Sequence, residues 1–342
     1  MVAAQAISPN RSPWNGLDGD VKTLFSMIYE FHGRIAEHRI FNFARLPGLV
    51  FALIMLTSLS VAQQVPGELN SSCKPAEPTA AEIFNCVIKN EKQSEILLDE
   101  YERTERLEKP KIDGGTDPLD VQFWRMFPVG TGVDKIALSP DGQPSNEESY
   151  RSDLERLEKY LGWVTEPGSS QRDAYAKAQR KRKERFELLD TTQKAFVFTF
   201  EGKEKRADRT LLRYSMTPNP KYRPTSRNTV LFTRVRGTIW IDEQSSQLAK
   251  VDGSVTEDFS IGLFLAKVYK GSHFMQERYE VLPGVWEPTF EQYDFDGRKF
   301  MVPFSIHERT FYSNYKRVGP PKESVGIVRR ELSTLETPHP PA

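Results

Sequence analysis

The chain has 342 residues, room for one large domain or two ordinary ones around a substantial core. Lysine plus arginine and aspartate plus glutamate both number 47, so no basic excess points to a nucleic-acid partner. Aromatic residues are plentiful, with 21 Phe, 12 Tyr and 5 Trp, and much of that set follows residue 190, a bias that suits pleated strands.

The chain opens with a segment to be set apart from the fold. The uncharged apolar run 46–62 follows Arg34, Arg39 and Arg45 and ends in Ser60-Val61-Ala62, with Gln63 and Gln64 beyond. That order of basic, apolar and small residues is the pattern of a secretory signal cleaved after Ala62. Residues 1–62 are therefore read as leader and signal peptide, long enough that translation is expected to start downstream of Met1, and the protein as periplasmic or otherwise exported. The other reading is an inner-membrane anchor through 46–67, which reaches the about 20 residues that a spanning helix needs. No cysteine follows the run at the spacing of a lipoprotein signal.

Cys73 and Cys86 are the two cysteines, and both lie just past that site. In an oxidising compartment they close a small loop that ties the incoming segment to the first helix; otherwise they are two free thiols. With no histidine near them they do not make a zinc site.

Residues 63–79 form a Pro/Ser-rich linker, and Thr79 is placed to cap a helix over about 80–108, with Phe84, Val87, Ile88, Ile96, Leu97 and Tyr101 on its apolar side. A strand is expected over 120–130 and a turn at 139–142. Tyr150, Leu154, Leu157, Leu161 and Val164 repeat at helical spacing on an otherwise charged segment. A third helix over about 171–189 carries the basic run 180–185, read as a solvated face, with anionic lipid or a partner as the other possibility. Together these make a charged helical insertion at 145–190.

From residue 194 the period changes to two. Phe196, Phe198 and Phe200 share one face, and further strands are expected in "RTLLRYSM", "NTVLFTRV", "RGTIWIDEQSSQLAKVDG", "LFLAKVY", "SHFMQERYEVL", "GVWEPTFEQYDF" and "KFMVPFSIHERTFYSNY". Gly and Pro at close, regular intervals punctuate them, which indicates an antiparallel meander and not βαβ units. In the last strand Phe300, Val302, Phe304 and Ile306 point one way, whereas "GLFLAKVY" is apolar on both sides and so must be covered on both. Residues 319–342 read as a Pro-rich tail, leaving 80–318 as one domain.

No catalytic motif is present. Of the five histidines only His273 and His307 fall within strands, and neither has a partner histidine at ligand spacing. Asp242 and Glu243 are adjacent and would sit on opposite faces of a strand, which argues against an acid–base pair and for turn chemistry at Asp242. "DFDG" at 294–297 lacks the further oxygen ligands of a calcium loop and fits a hairpin turn. No catalytic residue, metal site or cofactor is expected; a hydrolase without a recognisable motif is the remote alternative.

The segment "GTIWIDEQSSQLAKVDG", with the later "GVWEP" and "YSNYKRVG", resembles a family of uncharacterised exported bacterial proteins over about residues 80–318. Over 194–318 it is also similar to the periplasmic lipoprotein carriers and RseB-like sensors, the LolA/LolB-like fold. That resemblance implies an α+β fold: an antiparallel half-barrel sheet lidded by helices, whose concave apolar face accepts acyl chains. The chain departs from the carriers in the charged insertion, which puts lipoprotein carriage itself in question. In such a fold Trp240, Phe264, Trp286, Phe290 and Phe304 are the candidates to line a ligand cavity. The function expected is non-catalytic binding of a lipid or acylated peptide. The alternative is an envelope protein-interaction or stress-sensor module in which the same residues fill a closed core.

Overall fold

The computed structural model describes residues 73, 79–110, 119–130, 132–166, 168–226, 228–261, 266–299 and 301–336. Within them twelve strands form one open, curved antiparallel sheet accompanied by four helices, the α+β class the pattern of elements implies. The signal-like run 46–62 and the tail beyond 336 lie outside these residues. No described helix is long and apolar enough to cross a membrane.

Helix α1 spans Ala80–Leu98. It starts at a reciprocal cap, in which Thr79 Oγ1 accepts from the Glu82 amide and the Glu82 carboxylate accepts from the Thr79 amide, both at 3.4 Å. It was expected to run to 108, but stops ten residues short. Strand β1, Tyr101–Pro110, takes over, because it is laddered on both sides: Arg106 pairs with Phe123 of β2 (Leu119–Pro128) and with Phe311 of β12 (Val302–Arg317). Its Glu, Arg and Lys favour helices in isolation, and two rows of main-chain bonds outweigh that preference.

Strand β3 (Val133–Leu138), not expected from the sequence, follows β2. Helices α2 (Glu147–Thr165) and α3 (Ser169–Ala195) come next, then β4 (Phe196–Arg206) and β5 (Arg209–Pro218). The strand expected over "NTVLFTRV" is instead a 3₁₀ turn at Asn228–Thr233, and β6 begins at Val235 and ends at Asp242. Thr229 Oγ1 accepts from the amides of Thr225 and Ser226, and such local side-chain bonds hold the backbone in a turn. Strand β7 covers Leu248–Val255, β10 covers His273–Leu282 and β11 covers Val285–Lys299. The short strands β8 (Phe259–Ile261) and β9 (Ala266–Val268) form a side hairpin on β11; β9 falls within "LFLAKVY", whose residues 263–265 are not described.

The strand order is β3-β2-β1-β12-β11-β10-β7-β6-β5-β4. A large core lies on one face, where Phe84 and Val87 of α1 and Leu188 of α3 cover Phe196, Tyr214, Ile239, Val251 and Phe295. A second core lies at the β2–β3 end, where the predicted stripe Tyr150, Leu154, Leu157 and Leu161 packs on Phe127 and Ile136. The segment read as a Pro-rich tail completes that second core as helix α4, Pro321–Glu336. Proline is well tolerated in a first helical turn, and Val325, Val328, Leu332 and Leu335 give the helix its apolar stripe.

Candidate functional site: a buried arginine beneath the first helix

The inward side of α1 changes character along its length. In the first half Phe84 stacks on Phe198 with ring centroids 4.0 Å apart and meets the edge of Tyr214 at 5.2 Å. About two and three turns on from Phe84, the same side carries Glu91 and Glu95. Glu91 Oε2 accepts from Arg278 Nη1 at 2.9 Å, and Glu95 Oε1 accepts from Arg185 Nη2 at 2.6 Å. Asp99, just past the helix, accepts from Arg182 Nη2 at 2.5 Å. The basic run of α3 is thus divided: Lys181, Lys183 and Glu184 are exposed as expected, whereas Arg182 and Arg185 turn inward to α1.

Burial pushes the Glu95 carboxyl up to about 7, against the pull of Arg185 and Arg182. Burial also raises Glu91, opposed by Arg278. Glu287 of β11 is raised to about 8 by burial, with Arg278 and Arg103 opposing and Glu91 adding to the rise. In a low-dielectric setting each carboxyl holds its proton more tightly than the arginines can offset.

On the sheet side two bulges converge. In β11, Glu277 pairs with Phe290 and Arg278 with Pro288, so Thr289 is extra. In β12, Glu102 pairs with Lys316 and Thr104 with Ser313, which leaves one residue too many between them, and Asn314 there has φ +54°. A non-glycine residue in the left-handed region is uncommon, and bulges re-aim side chains. The hydroxyl of Tyr315 spans from one bulge to the other, donating to the Pro288 carbonyl at 2.5 Å, and burial raises it well above the usual phenol range.

Arg103 of β1 lies opposite the β12 bulge and is 2% exposed. Its guanidinium sits 5.8 Å from the Tyr312 ring centroid, and none of its three nitrogens has a hydrogen-bond partner among the described residues. Neighbouring carboxylates are engaged elsewhere: Glu291 accepts from Gln276 Nε2 at 2.7 Å and from the Tyr312 hydroxyl at 3.1 Å. Arg278 also donates to the Trp286 carbonyl at 3.0 Å, while its Nε and Glu287 Oε1 lack partners. The chemical capacity of this region is anion binding by fixed donors shielded from water.

The aromatic candidates do not gather here. Ile239 points into the main core, so its neighbour Trp240 takes the opposite face, where Nε1 donates to Glu204 at 2.9 Å and Lys250 Nζ lies 5.2 Å from the ring. Trp286 is buried in a small separate cluster with Leu211 and Ala249, against which Trp240 packs, and Arg209 lies 4.9 Å from its ring. Phe290 pairs with Phe311, ring to ring at 5.0 Å, beneath Arg106. Phe304 alone among the described candidates packs against the main core, its ring over Gly297, where a Cβ would come within 2.6 Å. Phe264 lies outside the described residues.

Asp242 is fully buried and organises the β6–β7 turn, accepting from the Ser245 amide at 2.8 Å and the Ser245 hydroxyl at 2.6 Å. The structure joins Cys73 to Cys86 as a disulfide. His273 and His307 share Asp294, at 3.9 and 3.0 Å, a contact that residues 34 apart in sequence do not advertise. His307 Nε2 also meets Ser305 Oγ at 2.8 Å, but that hydroxyl donates to Asp296, so its proton is committed away from the imidazole. Among the described residues no group of three or more His, Cys, Asp or Glu side chains is arranged to hold a metal ion.

Arg103 gives no signal of its own among the six charged residues of "YERTERLEKP". The trace that could have found it is the alternation Tyr101, Arg103, Glu105, Leu107, which marks one buried strand face.

No family model matches the chain, and no curated protein does. Among solved structures, the crystal structure of a DUF1329 family protein from Desulfovibrio piger is similar over 69% of this chain and 92% of that one, at 11% identity and a TM-score of 0.23. That likeness is too distant to bring a family or a function to this chain.

Proposed function

We propose that the chain is an exported, non-catalytic protein that binds the apolar part of a lipid or acylated peptide between the helix-covered face of its sheet and helix α1. The observation that carries the reading is the polarity gradient of α1, from aromatic packing at Phe84 to ion pairs at Glu91 and Glu95. A lid fastened by charges at one end and by rings at the other admits an acyl chain at the ring end while its far end stays attached. Affinity comes from apolar burial, about 25 cal/mol per Å² before the cost of ordering. Export rests on the signal-like run 46–62, and the Cys73–Cys86 bond suits an oxidising compartment. An anchor through 46–67 would place the same domain at the inner membrane, with lipid, lipoprotein or an envelope protein as its partner.

The close Phe84–Phe198 stack favours a second reading, an interaction module whose core is filled. Native mass spectrometry of the protein recovered from the cell envelope separates the two. A co-purified lipid mass that survives gentle ionisation is the expected result; repeatedly empty protein sinks the carrier reading and leaves the module. N-terminal sequencing should begin at Gln63, and an intact leader would instead mean an anchor.

A further inference from the structure

We infer that Arg103 is the seat of an acidic headgroup, a carboxylate or phosphate carried by the apolar ligand; this rests on the binding reading above and names the ligand class. An arginine 2% exposed with all three guanidinium nitrogens unpartnered is costly, because burying a charge without hydrogen bonds forfeits its hydration. The nearby carboxyls do not hydrogen-bond to it, although the Arg103 charge is felt at Glu287. Glu91 holds Arg278, Glu291 holds Gln276 and Tyr312, and Glu287 lies 3.9 Å from Arg278.

The surroundings are built rather than accidental. Two bulges, one in β11 and one in β12, are cross-linked by the Tyr315–Pro288 hydrogen bond, and Arg103 emerges opposite the second. Burial pushes the Glu287 carboxyl up to about 8, so Arg103 and Arg278 face less negative charge from that side chain than its residue type suggests. A planar fork of N–H groups donates to two oxygens of a carboxylate or phosphate side by side. The polarity of α1 runs the same way as an amphiphile would: charged groups toward Glu91 and the arginines, rings toward Phe84.

The test uses the full-length chain stripped of lipid and loaded with the neutral fluorophore 1-N-phenylnaphthylamine. Palmitate, hexadecyl phosphate and hexadecanol then compete for it. The two acidic amphiphiles should displace the probe at concentrations about ten- to a hundredfold below hexadecanol, the range for hydrogen bonds to a charged group. Arg103→Met should bring both acids to the level of hexadecanol and leave hexadecanol unchanged, with Arg103→Lys in between. Equal displacement by all three from the wild-type chain overturns the headgroup assignment but leaves the carrier reading standing. Probe and amphiphiles all failing to bind overturns both. Inorganic phosphate raising the melting temperature in an Arg103-dependent way, with no amphiphile bound, also overturns the assignment, since the anion would then need no chain. If Arg103→Met fails to fold, the wild-type ratio of acid to alcohol still decides.

Discussion

Asn90 Nδ2 donates to the main-chain carbonyl of Ser246 at 3.0 Å, across 156 residues of chain. The same amide nitrogen lies 3.1 Å from the Ser245 carbonyl, and Asn90 Oδ1 accepts from the Cys73 amide at 2.9 Å. Ser246 has φ +53°, so the β6–β7 turn is held from one side by Asp242 and from the other by Asn90. Helix α1, the disulfide strap and the hairpin tip are therefore one assembly.

Asn90→Ala should cost about 1–3 kcal/mol, since it strands buried carbonyls that have lost their donor. Urea unfolding of the pure protein measures this, and Asn90→Asp should be worse because it sets a carboxylate against those oxygens. A change within experimental error for both variants would mean that the turn holds itself.

The Cys73–Cys86 bond closes a short loop at the N-terminal side of α1, joining positions 13 apart in sequence. Loops of that size lose about 3 kcal/mol of stabilisation when opened. Reduction, or Cys73→Ser, should lower the melting temperature and speed amide exchange in 80–98 ahead of the sheet. Uniform acceleration across the whole domain would show that the strap has no particular hold on α1.

Glu287 couples stability to pH. Its carboxyl is raised by burial from 4.5 to about 8, so between those values the folded chain binds more protons than the unfolded one. Stability from this group is then full below about 4.5, declines as pH rises, and is lost above about 8. Glu287→Gln should flatten that decline and leave the chain more stable than wild type at pH 8. Chemical denaturation from pH 5 to 9 reads it out; a slope unchanged by the substitution would assign the decline to another group.

Arg125 ties three elements together. It donates from Nε to Glu102 at 2.9 Å, from Nη1 to the Tyr150 hydroxyl at 2.7 Å, and to Glu331 of α4 at 2.9 Å. Burial raises the Tyr150 phenol to about 12, which keeps it protonated within this group. Arg125→Met should cost about 2–3 kcal/mol, less than the 3–5 of a fully buried pair because Glu331 keeps some solvent. Hydrogen exchange should place the loss in 321–336 and 147–165. Protection retained in α4 would show that Val328 and its apolar neighbours suffice to hold it.

The parts of the fold legible in sequence were those whose burial is apolar and periodic. The stripe from Tyr150 to Leu161 and the alternation of Phe196 and Phe198 show in residue type which side is inward. Strand β1 was illegible because its buried positions include Arg103 and Glu105, so its alternation is of charge with charge. Helix α4 was hidden by the prolines that in fact begin it. The candidate site suffered most. Large aromatic side chains drew the reading to Trp240 and Trp286, yet period-two logic cannot say which side of a sheet is covered, and Trp240 lies on the side away from the main core. An isolated arginine becomes notable only when its surroundings withhold every partner, and that is a property of three dimensions.

The pairing of β1 with β12 also sets an order of events for the polypeptide itself. Tyr101 lies beside Arg317, so β1, β2 and β3 have no place on the sheet until nearly the last strand has been made. Contacts so distant along the chain make for slow folding, because a long loop must close before any of its contacts is gained. Strands β4 to β7, joined by near neighbours, can assemble first, and α1 must wait for the floor it covers. Until β12 arrives, β1 can pair with β2 but keeps one charged, open edge that other chains could capture.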